Sequence, residues 1–230
     1  MKKLAIFVEG KTEQIFVKKL LTEIAGKLNI SIEIRSRENS NSAQIMMKDP
    51  VTSVTKFYVL IYNSCNDETV VSDMREQYYS LSKQGYARII GLRDVYPIPM
   101  SEKLRLQRGL NYSLPKGSIP INIILAVMEI EAWFLAEYNH FLKLDSSLTP
   151  NKIEDFFGFN PQTDDMEARM KPSDDIKQIY NYLGKGYNKT EKQLNRLAAN
   201  LDYEFIYIKL AHSVPSLGEF IGYIDNFMTS

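Results

Sequence analysis

The chain is poor in the residues that most readily reveal chemistry: among its 230 residues are one cysteine, Cys65, and two histidines, His140 and His212. A single cysteine closes no internal disulfide, and no Cys/His spacing suits zinc. Net charge is missing too, 28 Lys and Arg balancing 28 Asp and Glu. Without a long-range field toward a polyanion, wholesale coating of DNA is excluded, and any nucleic-acid contact needs a local basic patch or a partner that delivers the strand. No apolar run approaches the about 20 residues of a membrane helix. The N-terminal run Leu4-Ala5-Ile6-Phe7-Val8 is cut at Glu9, too early for a signal peptide. These absences lead us to expect a protein of the reducing cytoplasm, away from the membrane. No glycine pair brackets a serine as a nucleophile elbow does, and Gly184-Lys185-Gly186 lacks the spacing and the following Ser/Thr of a phosphate loop. His140 and His212 read as packing or surface residues, and Cys65 as a packing thiol.

What is present is alternation. Residues 4–8, 57–62, 87–92 and 121–125 are unbroken apolar runs, as expected of strands covered on both faces. Ile30, Ile32 and Ile34 alternate with polar residues, which predicts a half-exposed strand nearer an edge. Val17, Leu20, Leu21, Ile24 and Leu28 recur at helical steps from Thr12 onward. Helices are also expected over about 72–83 and 126–140, then 151–157, 173–183, 190–201 and a C-terminal segment split by Pro215. A loop is expected at 36–42, a weak helix at 43–48, and a proline-rich excursion with little periodicity at 96–120. The fold class is therefore α/β, a mainly parallel sheet of four or five strands flanked by helices, with a C-terminal helical extension. We place the core at 1–140 and the helical cap at 141–230, packed as one structural unit.

Acidic residues recur where such a sheet gathers strand ends: Glu9 and Glu13 after the first strand, Asp67 and Glu68 after Tyr62, Asp94 after Leu92. Adjacent parallel strands lie about 4.8 Å apart, so side chains from neighbouring ends can share one hard cation. Gly10 would allow a sharp turn there. The plainer alternative is a helix start, with Thr12 as cap and acids favoured by the dipole. In Val127-Met128-Glu129-Ile130-Glu131-Ala132-Trp133-Phe134, read as helix, neither glutamate would be well solvated. A buried carboxylate costs several kcal/mol without a metal, a cation or donors to receive it. Either the pair binds a cation, or it forms a buried ion pair for which Arg93 and Arg88 are the natural partners. Lys185, Lys189, Lys192 and Arg196, interleaved with Tyr180 and Tyr187, form either a phosphate track or an ordinary solvated face.

Val8-Glu9-Gly10-Lys11-Thr12-Glu13, directly after an apolar strand, resembles the opening motif of Toprim-like domains, found in topoisomerases, primases and the overcoming-lysogenization-defect nucleases. Arg93-Asp94-Val95-Tyr96-Pro97 and Met128-Glu129-Ile130-Glu131-Ala132-Trp133-Phe134 resemble further motifs of an uncharacterised Toprim-like family considered alongside ATPase partners and phage defence. The resemblance spans most of residues 1–140. It implies that Glu9 acts as general acid or base, with Glu13 near the metal, and that Mg²⁺ or Mn²⁺ is the cofactor. It also leads one to expect Asp-x-Asp after Tyr62, where this chain has Asn63-Ser64-Cys65.

The expectation is a metal-dependent nuclease acting on DNA or RNA delivered by an ATPase partner, with Glu9 and Glu13 catalytic. Glu9, Glu13, Asp67, Asp94, Glu129 and Glu131 are its candidate metal ligands, and Lys11, Arg93, Lys185, Lys189, Lys192 and Arg196 its nucleic-acid contacts. The rival is a catalytically silent interaction module that regulates such a partner, for which the amide at Asn63 speaks.

Overall fold

The computed structural model describes residues 1–37 and 43–229, so the loop expected at 36–42 lies largely outside the described residues. The strands are β1 (Lys2–Val8), β2 (Ile30–Ser36), β3 (Gln44–Lys48), β4 (Phe57–Asn63), β5 (Arg88–Asp94) and β6 (Ile121–Ala126). They form a six-stranded sheet in the order β3-β2-β4-β1-β5-β6. β1 runs parallel to β4 and β5, and β2 parallel to β4, while β3 is antiparallel on β2. Ile89 N–H bonds Pro120 O and Val95 N–H bonds Ala126 O, an equal advance in one direction, so β6 is parallel to β5 as well. The protein is thus α/β with a mostly parallel sheet, and all five expected strand segments lie in it.

Two compact units divide the chain. The first comprises Met1–Arg93, Ser101–Leu125 and the segment from Phe220 onward; the second comprises Asp94–Met100 and Ala126–Glu219. The chain passes between them without any shift in composition. In the first unit, Ala5 and Phe7 of β1 with Leu60 and Tyr62 of β4 meet Val70, Met74, Tyr78 and Leu81 of α2 (Asp67–Lys83). Strand alternation turns Leu4, Ile6, Val59 and Ile61 to the opposite face. There α1 (Lys11–Ala25), which lies against β4 and β2, buries Phe16, Val17, Leu20 and Leu21. Gly26 ends α1 with φ 76°, so Leu28, expected on its apolar stripe, stands 77% exposed beyond it.

Three local expectations are corrected. Residues 44–48 form the edge strand β3 rather than a helix, because five mainly exposed residues can satisfy the open edge of β2 without an apolar stripe. β2 itself is not half-exposed: Ser31 and Glu33 are fully buried. The 96–120 excursion contains α3 (Lys103–Ser113), a helix with no buried residue and hence no apolar face to read.

In the second unit, the continuous helix expected over 126–140 is replaced by a turn and two short helices, α4 (Glu131–Ala136) and α5 (Asn139–Leu144). Then follow α6 (Pro150–Phe157), α7 (Pro172–Tyr182) and α8 (Glu191–Asn200), each within a residue or two of its expected bounds. α4 packs on α7, and Trp133 of α4, 1% exposed, donates its indole N–H to Ser216 Oγ at 2.8 Å. His140 is fully buried, 3.2 Å from Glu137. Among the described residues no helix is long and apolar enough to cross a membrane.

Candidate functional site

Register brings the first group of residues together. Val8 lies opposite both Asn63 and Leu92, so β1, β4 and β5 finish nearly level, and Glu9, Ser64 and Arg93 share one edge of the sheet. α1 begins at once, at Lys11, with Gly10 at its N-cap and no side-chain cap. Thr12 is therefore inside the helix and is not its cap, which removes the plainer reading of this motif. Gly10 does not make the expected sharp turn; its backbone is extended, φ −158°. Space is what the residue supplies. A Cβ at Gly10 would stand 3.3 Å from Glu13 Oε2, and Glu13 is 5% exposed. The glycine thus leaves room for a buried carboxylate at the strand-to-helix junction.

Asn63, in the place where the resemblance leads one to expect an aspartate, is 1% exposed and committed at both ends of its amide. Its Nδ2 donates to Gln14 Oε1 at 2.9 Å, and its Oδ1 accepts from Cys65 N–H at 2.9 Å. That second bond holds Cys65 at φ 62° and leaves its thiol exposed, so Cys65 is not the expected packing thiol. Asp67, the first residue of α2, is bound by the Arg93 guanidinium at 2.9 Å, with Arg93 buried. Asp67 thus orients Arg93. Lys11 is half-buried beside Glu9.

The second group lies in the other unit. Asp94, 7% exposed, accepts from Ile130 N–H at 2.9 Å, while Tyr96 N–H bonds Met128 O at 2.8 Å. These bonds pin the turn after β6, in which Met128 takes φ 58°, a left-handed conformation uncommon outside glycine. Glu129 lies in this turn, not on a helix. Ser173 at the start of α7 captures it, donating N–H to Oε2 at 2.9 Å and its hydroxyl to Oε1 at 2.8 Å. Glu131 is 0% exposed. Its Oε1 receives the Lys189 ammonium at 2.7 Å and the Tyr187 hydroxyl at 2.8 Å, while Oε2 has no hydrogen-bond partner.

The arginines that the sequence offered as partners for these glutamates are engaged elsewhere, Arg93 with Asp67 and Arg88 over the Tyr223 ring. Lys189 takes the role instead. Burial alone would lower its pKa, but the charges of Glu131, Glu129 and Asp94 and the bond to Glu131 outweigh it and raise the ammonium above the ordinary lysine range. Its backbone is left-handed, φ 55°. Arg196 donates to the carbonyls of Lys185 and Gly186 and covers the Tyr180 ring, and so braces the 184–190 loop. Gln193 accepts from Asn188 N–H and Thr190 N–H at the other end of the loop. Lys192 is exposed on α8, and the structure prints no partner that ties it to this group.

Among the described residues, no group of three or more His, Cys, Asp or Glu is placed to hold a metal. Magnesium seldom needs such a cage: it commonly takes one or two carboxylates, its own waters and substrate phosphate oxygens. Glu9 and Glu13, with the space left by Gly10, fit that mode of binding. The second unit's acids are already served by protein donors except at Glu131 Oε2. Sequence reasoning missed Ser173 and Gln14, and saw Tyr187 only as one of several aromatics. A serine directly after a helix-starting proline was the available signal for Ser173. A separate cavity of about 600 Å³ in the second unit, lined by Tyr138, Met166, Phe205, Lys209 and Val214 among others, contains none of the expected site residues.

No curated protein and no solved structure matches the chain. The family described as a domain of unknown function, DUF4276, matches residues 8–220, and with nearly its whole length covered the chain belongs to that family.

Proposed function

We propose that the chain is a Toprim-like, divalent-cation-dependent phosphoryl-transfer protein, a nuclease that hydrolyses phosphodiester bonds of DNA or RNA. The observation that carries this reading is the junction after β1, where Gly10 leaves space for the buried Glu13 carboxylate at the level edge of parallel strands. Open α/β sheets bind ligands at the carboxyl ends of their strands. Glu9 and Glu13 would hold Mg²⁺ or Mn²⁺; such an ion neutralises phosphate oxygens and makes a bound water more acidic. Glu9 moves the proton of the attacking water or the leaving oxygen. Lys11 offers its charge to the phosphate, and Arg93, oriented by Asp67, adds a second cation at the same edge. Zero net charge leaves the delivery of nucleic acid to a partner, an ATPase in the setting of phage defence.

A second reading, the catalytically silent interaction module, is favoured by Asn63, whose amide is consumed by Gln14 and Cys65 and offers no carboxylate. The test is cleavage of end-labelled single- and double-stranded DNA and RNA by the purified chain with Mg²⁺ or Mn²⁺. Metal-dependent cleavage that disappears in Glu9→Gln, with unchanged thermal stability, is expected. Gly10→Ala, which presses on Glu13, should lower the rate tenfold or more, since misplacement of about 1 Å costs roughly a hundredfold. Absence of cleavage with every substrate and metal, or cleavage indifferent to Glu9→Gln, would leave the interaction module as the better account.

A further inference from the structure

The second unit's Glu131 has a feature that the reading above does not use. Its carboxylate is fully buried, both of its donors crowd onto Oε1, and Oε2 is bare. Lys189, by contrast, keeps 43% of its side chain exposed, so the ammonium stands between the buried carboxylate and solvent. Two further carboxylates, Glu129 and Asp94, act on that ammonium through their charge. Three negative groups answered by one positive group leave a local excess of negative charge, which favours a cation of higher charge over a monovalent one. The loop that presents Lys189 is braced at both ends by Arg196 and Gln193, and Lys189 holds a left-handed backbone conformation to reach the carboxylate. A lysine fixed in this way is not a casual surface residue. Glu137 with His140 is the other buried acid of this unit with bare oxygens, but both residues are 0% exposed and no solvent-facing group leads to them.

We propose that Lys189 stands in the place of a divalent cation, so that Glu131, with Glu129 and Asp94, forms a cation site that the protein's own ammonium closes. The ammonium supplies the charge that the carboxylates require, and Oε2 is the ligand atom left over when one lysine replaces an ion that would engage both oxygens. Withdrawal of Lys189 opens the site to Mg²⁺ or Mn²⁺. The site is distinct from the Glu9/Glu13 junction and does not depend on nuclease activity.

The test counts Mn²⁺ ions bound per chain, by paramagnetic resonance of the free ion and by calorimetry, in the wild type, Lys189→Gln, Lys189→Arg and the double variant Lys189→Gln with Glu131→Gln. Lys189→Gln should bind one Mn²⁺ more than the wild type, and Lys189→Arg and the double variant should not. Equal counts in the wild type and Lys189→Gln, or an extra ion that persists without Glu131, overturn the proposal. Should Lys189→Gln fail to fold alone, Mn²⁺ should restore its circular dichroism and melting transition; failure in the presence of Mn²⁺ counts against the proposal equally. Any ion at Glu9 and Glu13 contributes alike to every arm, so loss of the nuclease reading would leave the difference in counts unchanged.

Discussion

Glu33 in the first unit and Glu131 in the second are both sealed from solvent, and each meets a lysine. Their surroundings differ in one respect. Glu33 is closed on both oxygens: Arg35 bonds Oε1 at 2.6 Å, Lys48 reaches Oε2 at 2.9 Å, and the Tyr58 hydroxyl donates to Oε2 as well. Glu131 has its two donors on one oxygen and none on the other. A buried polar network is stable when every member is satisfied and expensive when one is not. Glu33 therefore reads as part of the architecture, tying β2, β3 and β4 together, whereas Glu131 reads as a group kept for something the fold does not itself require.

The largest expected effect is at Glu33. Glu33→Ala removes the acceptor of three donors inside a closed network and should cost about 3 kcal/mol, measured by chemical denaturation, as breaking a buried charge pair does. A loss well below this would show that the network is solvated and would dissolve the contrast with Glu131.

The next effect is a division of pH dependence between the two residues. Burial pushes the Glu33 carboxyl up, but the bonds from Tyr58, Lys48 and Arg35 hold it below the ordinary range. A depressed folded value stabilises above the unfolded pKa of about 4.3, and that stability is lost as pH falls through the folded value. Lys189 is raised, so its contribution is present below the unfolded lysine value of about 10.4 and is lost as pH rises through the folded one. Melting temperatures across pH should show the acid limb flattened in Glu33→Gln and the alkaline limb flattened in Lys189→Gln, each leaving the other limb as it was.

The smallest expected effect is Glu131→Gln, about 1 kcal/mol or less, because Lys189 is 43% exposed and regains water when its partner loses charge. A loss matching that of Glu33→Ala would make the two carboxylates equivalent structural pairs.

The sheet was legible because buried parallel strands leave unbroken apolar runs, as at Leu4–Val8 and Phe57–Tyr62, and α6, α7 and α8 because they turn apolar stripes inward. β3 and α3 were hidden because neither buries an apolar face. Glu131 could be recognised as a buried acid from its apolar neighbours alone. Its partner could not, since Lys189 lies 58 residues further along the chain and reaches it through a loop conformation that no periodicity encodes. The turn holding Glu129 was read as helix because Val127, Ile130 and Phe134 keep helical spacing across a break set by Asp94 and by the left-handed Met128. At Asn63 the departure from the expected aspartate was plain in the sequence, but its cause, the amide bond to Gln14, depends on two strands finishing level.

The central claim, that a bare buried carboxylate oxygen marks a site while a closed one marks structure, is tested most directly by counting Mn²⁺ bound to Lys189→Gln beside Lys48→Gln. Both variants remove a lysine from a buried glutamate. The account predicts one additional Mn²⁺ per chain over the wild type in Lys189→Gln and none in Lys48→Gln; the same count in both variants would contradict it.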